Sequence, residues 1–209
     1  MKKLFTNSAQ PGFTLVELVV ALFIFSLIAY GIIFLTSNIF TAATGQTSLL
    51  ADTDQARKLA FQIVNELRNA TYGSDGGYPL NTAQDQQIVF YTNVDTDVNP
   101  ERVRYYVQNN KLYRGVSEWN GSAYDVAHEQ VVLVQNDLGV GTNPVFYYYA
   151  DTYTGSSSQT SLVQPVSIAQ VKYIKVNLQL VNVAGANKTN TYTVSSSASF
   201  RNLKTNLGN

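Results

Sequence analysis

Gly12-Phe13-Thr14-Leu15-Val16-Glu17-Leu18-Val19-Val20-Ala21 opens an apolar run that continues to Leu35 and is interrupted only mildly by Ser26, Tyr30 and Gly31. The run reaches the roughly 20 residues that a hydrocarbon core requires, so residues 13–40 read as a membrane span. Between Lys3 and Asp52 the one charged side chain is Glu17. An ionised carboxylate inside a bilayer costs about 2.5 to 3.5 kcal/mol on insertion scales, which makes Glu17 a candidate functional residue in need of a partner. A cut between Gly12 and Phe13 would supply one: Phe13 gains a free α-amino group, and the Glu17 of a neighbouring copy can neutralise it when two helices pack with an axial offset. Near the first helical turn the carboxylate also sits at the positive end of the helix dipole, worth roughly a few tenths of a kcal/mol. The plainer alternative is an interfacial acid that reaches back to the headgroups.

The order of segments at the head supports a cut before the span. A general secretory signal places its basic residues against a shorter apolar core and is cut beyond that core. Here the polar segment Thr6-Asn7-Ser8-Ala9-Gln10-Pro11-Gly12 precedes the apolar run, so cleavage after Gly12 leaves the span on the mature chain. Two alternatives are a conventional cut near Ala42-Ala43 and an ordinary uncleaved anchor. Lys2 and Lys3 fix the orientation, because basic flanks stay on the cytoplasmic side. The chain beyond Phe40 is then expected outside.

Composition narrows the function classes. The 209 residues suit a stem plus one domain of about 140 residues. Basic and acidic side chains balance at 14 each, and removing residues 1–12 takes away Lys2 and Lys3 and no acid, for a net charge of about −2. No basic surface is indicated and no nucleic-acid partner is expected. The chain has no cysteine and one histidine, His128, which leaves packing as the source of stability and almost no way of building a zinc or copper site.

After the span, Leu49, Ala56, Ala60, Ile63 and Leu67 recur on one face of a helix, with Asp54 and Lys58 set as an i,i+4 pair. Strong breakers arrive only at Gly73, Gly76, Gly77 and Pro79, so one helix is predicted from Phe13 to about Thr71, with Gly45 a place where it can bend. A period of two then takes over. Arg102 to Gln108 and Lys111 to Val116 form a predicted hairpin across Asn109-Asn110, with Val103, Tyr105 and Val107 on the same side as Leu112, Arg114 and Val116. Lys172 to Leu180 alternates likewise, and Tyr192 to Phe200 follows it across Gly185-Ala186-Asn187. Gly155-Ser156-Ser157-Ser158 reads as a loop. The expected fold class is α+β: a long N-terminal stem helix packed on the apolar face of an antiparallel β-sheet.

Residues 12–21 resemble the cleavage and methylation segment of type IV pilins and of the pseudopilins of type II secretion. That resemblance implies a prepilin leader over residues 1–12, a helix over 13–71 and a globular β domain over 72–209. It implies cleavage at Gly12 by a membrane prepilin peptidase, N-methylation of Phe13, and Glu17 as the acid that aligns an incoming subunit. Further along, Ile88-Val89-Phe90-Tyr91, Arg102-Val103-Arg104-Tyr105-Tyr106, Leu112-Tyr113-Arg114-Gly115 and Arg201-Asn202-Leu203-Lys204 resemble the domain of J-type pseudopilins and PilW-like minor pilins. A structural subunit that helps to initiate or cap a filament is implied. Its partners would be other major and minor subunits and the inner-membrane assembly platform. It would reside in the inner membrane as a single-pass protein and then in the pilus or pseudopilus. Many major pilins carry a helix-disrupting proline further along the span, where this chain has Phe34. The alternative is a tip-displayed binding module, an adhesin or a DNA-uptake pilin.

The remaining motifs have plainer readings. Asp95, Asp97, Asn99 and Glu101 place oxygen ligands at alternate positions, the start of a calcium loop. Pro100 stands where an EF-hand needs glycine, and Tyr106 where it needs a bidentate glutamate, so a polar turn between strands is favoured and no cofactor is expected. Phe146-Tyr147-Tyr148-Tyr149 reads as a strand with alternate rings in the core before it reads as a ligand platform. Arg102, Arg104 and Lys111 read as a solvated face, with Arg114 on the apolar side. His128-Glu129 has no nucleophile at a recognisable spacing, and neither a Gly-x-Ser-x-Gly nor a phosphate loop occurs, so the chain is not expected to be an enzyme.

Overall fold

The computed structural model describes residues 12, 14–95, 97–139, 141, 143–156, 158–183 and 189–199, with the side chains of 40–52 and 182–190 outside that description. The chain divides into two units, residues 1–45 and 46–209. One helix, α1 (Leu15–Arg68), contributes to both. It continues through Gly45 and ends three residues before the predicted limit.

Among the described residues of the first unit no apolar side chain is buried. Leu15–Ile39 has a mean hydropathy of 2.8, none of it is buried, and it is long and apolar enough to cross a membrane. Polar side chains within it bond back to their own helix: Ser26 donates to the Phe23 carbonyl at 2.7 Å and Thr36 to that of Ile32 at 2.7 Å. Such back-bonding leaves the hydroxyls satisfied without a neighbour.

The second unit packs the rest of α1 onto eight strands. Ala56, Ala60, Ile63 and Leu67 are buried as their spacing predicts, and Leu59 and Val64 widen the stripe; Leu49 lies outside the described side chains. The strands are β1 (Leu80–Ala83), β2 (Gln87–Thr92), β3 (Glu101–Gln108), β4 (Lys111–Ser117), β5 (Gln130–Gln135), β6 (Phe146–Tyr149), β7 (Tyr173–Val183) and β8 (Thr189–Ser199). All pairs are antiparallel. The sequence pattern reads as one sheet; the strands instead form two, β1-β2-β3-β4-β5 and β6-β7-β8. The break follows β5, where the chain leaves the first sheet and Leu138 bridges to Leu180 of β7. A single core joins α1 to Phe90, Tyr105 and Leu112 of one sheet and Phe146, Ile174, Val176 and Leu178 of the other.

The predicted hairpin forms in the predicted register, with Val103 opposite Val116, Tyr105 opposite Arg114 and Val107 opposite Leu112. Asn109 and Asn110 take φ of 52° and 58°, the left-handed geometry that a two-residue turn demands and that asparagine tolerates. Phe146 and Tyr148 enter the core as the strand reading expects, and Tyr149 is buried beside them. The turn Gly185-Ala186-Asn187, Phe200 and Arg201-Asn202-Leu203-Lys204 lie outside the described residues.

Candidate functional site

The start of α1 shows how Glu17 is placed. Thr14 precedes the first helical residue, and its Oγ1 accepts the Glu17 N–H at 3.3 Å while its carbonyl accepts from Leu18 at 3.2 Å. Thr14 is therefore an N-cap and Glu17 the third helical residue, the spacing of a capping box. Thr14-x-x-Glu17 was readable in the sequence as a helix start and went unused there. The cap fixes where the helix begins, and so sets Glu17 in its first turn. The Glu17 side chain is exposed, as is Gly12; Phe13 lies outside the described residues.

The acidic turn brings Asp95, Asp97 and Glu101 together, one oxygen of each within 4.8 Å of the others. Those carboxylates also serve the turn itself. Asp95 Oδ1 accepts the Asp97 N–H at 2.8 Å, Asp97 Oδ1 accepts the Asn99 N–H at 2.7 Å, and Glu101 Oε2 accepts the Val94 N–H at 2.6 Å. Successive side-chain-to-backbone bonds of this kind are what builds a polar turn between strands. Glu101 is 1% exposed, and burial raises its pKa, with the nearby charges of Asp95 and Glu118 adding to the effect against the backbone donors that lower it.

The arginines depart from expectation. Arg102 and Arg104 do not form a solvated face: both converge on Glu129, whose side chain is 6% exposed. Arg104 Nε donates to Glu129 Oε1 at 2.9 Å and its Nη2 to Oε2, while Arg102 Nη1 stands 3.8 Å from Oε1. The carboxylate crosses β4 at Gly115, where an added Cβ would overlap the Glu129 carboxyl group. The Arg104 guanidinium also lies 4.0 Å above the Tyr106 ring. The physical reason is register: Arg104 sits opposite Gly115, and the missing side chain opens the path for Glu129.

Arg114 does fall on the apolar side. There its Nη2 meets Glu66 of α1 at 3.0 Å, its Nε donates to the Tyr105 hydroxyl at 3.1 Å, and that hydroxyl donates to Glu66 Oε2 at 2.9 Å. Burial and then the Glu66 charge push the Tyr105 phenol far above its ordinary range. Burial works against the Arg114 charge, but Glu66 and Tyr105 more than offset it and its pKa is raised. The cluster ties helix to sheet.

His128 is exposed, and its Nδ1 lies 2.9 Å from Asp125 Oδ2. The pair lies at the surface, at the end of the turn of 3-10 helix Val126–His128. These features are consistent with a structural, non-enzymatic protein.

Residues 7–32 match the family model of the prokaryotic N-terminal methylation motif. No curated protein matches the chain, and no solved structure does. The motif and the one helix among the described residues that is long and apolar enough to cross a membrane support a general type-IV-pilin-like assignment, and a membrane-anchored topology with the β domain beyond the membrane.

Proposed function

We propose that this chain is a structural subunit of a type IV pilus or of the pseudopilus of type II secretion, of the J-type or PilW-like kind that helps to initiate or cap the filament. The observation that carries this reading is the apolar Leu15–Ile39 segment, exposed along its length with Glu17 as its only charge. A helix that buries none of its apolar surface within its own chain needs lipid or other helices around it. Assembly is the exchange of one for the other.

On this reading residues 1–12 are a leader removed by a prepilin peptidase, Phe13 becomes the N-methylated first residue, and residues 13–40 serve as anchor and assembly segment. The subunit waits in the inner membrane with its domain outside. Glu17 of an incoming subunit meets the Phe13 amine of its neighbour, and the cap at Thr14 fixes where in its own helix the carboxylate is presented. Opposite charges compensate each other strongly in a medium of low dielectric constant. The subunit then engages the assembly platform and the other major and minor subunits.

The test is Glu17→Ala in the native host. Processing at Gly12 should proceed as in wild type, because the cut precedes the helix, while recovery in sheared filaments should fall by about tenfold or more. Equal recovery of mutant and wild type would remove the pairing role. A mature N-terminus other than Phe13 would remove the reading as a whole.

A further inference from the structure

Asn120-Gly121 is the one Asn-Gly pair in the sequence. It occupies the turn 120–123 between Trp119 and Tyr124, which pair as an antiparallel bridge, and all four residues of the turn are exposed. The Asn120 N–H donates to the Ala123 carbonyl at 3.0 Å and closes the turn. Its side chain is held as well: Oδ1 accepts the Ser122 N–H at 3.0 Å and the Ala123 N–H at 2.8 Å. Gly121 takes a φ of 93°, in the region that glycine enters without steric cost. The space beside its α-carbon is open, and its N–H makes no hydrogen bond among the described residues.

Two backbone N–H groups converging on one carbonyl oxygen are the donor pair that stabilises negative charge when a nucleophile adds to the carbonyl carbon. They draw electron density from Asn120 Cγ. The nucleophile next in the chain is the Gly121 nitrogen, whose bond to Cγ closes a five-membered ring, and a reaction within one molecule has no encounter to wait for. Asparagines in the other tight turn lack this set. Asn109 and Asn110 also have positive φ, but Asn110 and Lys111 follow them with side chains that crowd the attacking nitrogen. Among the described residues Asn120 is the one asparagine whose side-chain oxygen accepts backbone N–H groups.

We propose that Asn120 is a site of self-modification, where the chain converts its own side-chain amide into a carboxylate. Hydroxide takes the Gly121 amide proton, the nitrogen bonds to Asn120 Cγ, and the oxyanion forms on Oδ1 between the two donors. The Cγ–Nδ2 bond then breaks, and the nitrogen takes a proton from water and leaves as ammonia. Water opens the resulting succinimide at one carbonyl or the other, which leaves aspartate or isoaspartate at position 120. The sum is amide plus water to acid plus ammonia, with no change of oxidation state. The product places a further negative charge between Glu118 and Asp125 in a chain of formal net charge zero. In the isoaspartate form the main chain runs through Cβ and Cγ and is one carbon longer, which pulls apart the closure at Ala123. The same hairpin carries Tyr124, whose hydroxyl donates to the Pro100 carbonyl and accepts the Ser74 N–H, each at 2.8 Å. Modification therefore acts on the contacts that hold the segments at 74 and 100 to this hairpin.

The test incubates the full-length chain in detergent at mildly alkaline and mildly acid pH, beside the same chain unfolded in urea, and follows every asparagine peptide over time by mass spectrometry. The expected result is that the Asn120 peptide gains the mass of an amide-to-acid conversion and splits into aspartate and isoaspartate forms, faster at the higher pH, while Asn109 and Asn110 stay amides. The folded chain should convert no more slowly than the unfolded one, because the two N–H donors are in place only in the fold. An Asn120 that stays an amide in the folded chain and converts in urea would overturn the proposal, since the turn would then protect it. Conversion of Asn109 and Asn110 at the same rate would overturn it as well. Asn120→Gln, at an exposed position, should melt like wild type and convert at least about tenfold more slowly, because its longer side chain must close a larger ring; a wild-type rate in that variant would also count against ring closure by Gly121. Every step is read on the chain alone and none depends on the filament reading.

Discussion

Replacing Glu129 by alanine would leave Arg102 and Arg104 side by side on β3 with their shared counter-charge gone. Breaking a buried pair costs about 3 to 5 kcal/mol, and the partial exposure of both arginines reduces that to roughly 2 to 4. Gly115→Ala presses on the same carboxylate from β4 and should cost about 1 to 3 kcal/mol. In a double-mutant cycle followed by denaturant unfolding, the Gly115→Ala penalty should shrink once Glu129 is already alanine; full additivity would mean the two do not touch. Glu101 predicts a pH effect. Its folded pKa is raised from the ordinary 4.5, so the folded state binds the proton more tightly, and its contribution is complete below the unfolded value and lost as pH rises through the folded one. Glu101→Gln should therefore flatten the stability profile above pH 4.5 and leave the protein no less stable at neutral pH. Millimolar calcium should shift the melting of neither form, because the carboxylates of the turn already bind backbone N–H groups; a shift in wild type that Glu101→Gln abolishes would assign the turn to the ion. None of the Glu129 contacts was legible in the sequence, because a carboxylate reaching over a glycine on the adjacent strand depends on register, which residue spacing along one strand does not contain.

Among the elements, the β3–β4 hairpin was the most legible, since alternation on both arms and a pair of asparagines between them leave one register. Its turn gives a local test. Asn110→Gly should stabilise the domain by about 0.5 kcal/mol, glycine being the preferred second residue of this turn, while Asn110→Val should lose about 1 to 2 kcal/mol at the positive φ. The α1 stripe was equally clear, but nothing in the spacing of Glu66 beside it marks a partner. Its engagement with Arg114 and Tyr105 appears once helix and sheet are together. Tyr105→Phe removes a hydroxyl that donates to Glu66 and accepts from Arg114, and equilibrium unfolding should register a loss of about 1 to 2 kcal/mol. Strand β5 was missed because it does not alternate: Val131, Val132, Leu133 and Val134 run consecutively, and a strand exposed on both faces has no apolar side to read.

At the scale of the whole molecule, the two units answer to different surroundings. The buried apolar residues fall between Ala56 and Ala198, whereas Leu15–Ile39 has no buried residue. Stability of the domain and retention in the membrane should therefore separate under mutation. Ile63→Ala empties a fully buried site on α1 and should cost about 2 to 5 kcal/mol. For a domain of this size that lowers the melting temperature by roughly 10 °C. The variant should still partition into the membrane fraction as wild type does, because the span has lost nothing. Glu17→Ala should behave in the opposite way, melting like wild type in detergent while its entry into filaments fails. Tyrosine near-UV circular dichroism of the full chain in detergent reads the first property and membrane fractionation with filament shearing the second. If Ile63→Ala released the chain from the membrane, or Glu17→Ala lowered the melting temperature of the domain, the stem and the core would have to be treated as one cooperative structure, and the Glu17 phenotype could no longer be assigned to pairing between subunits.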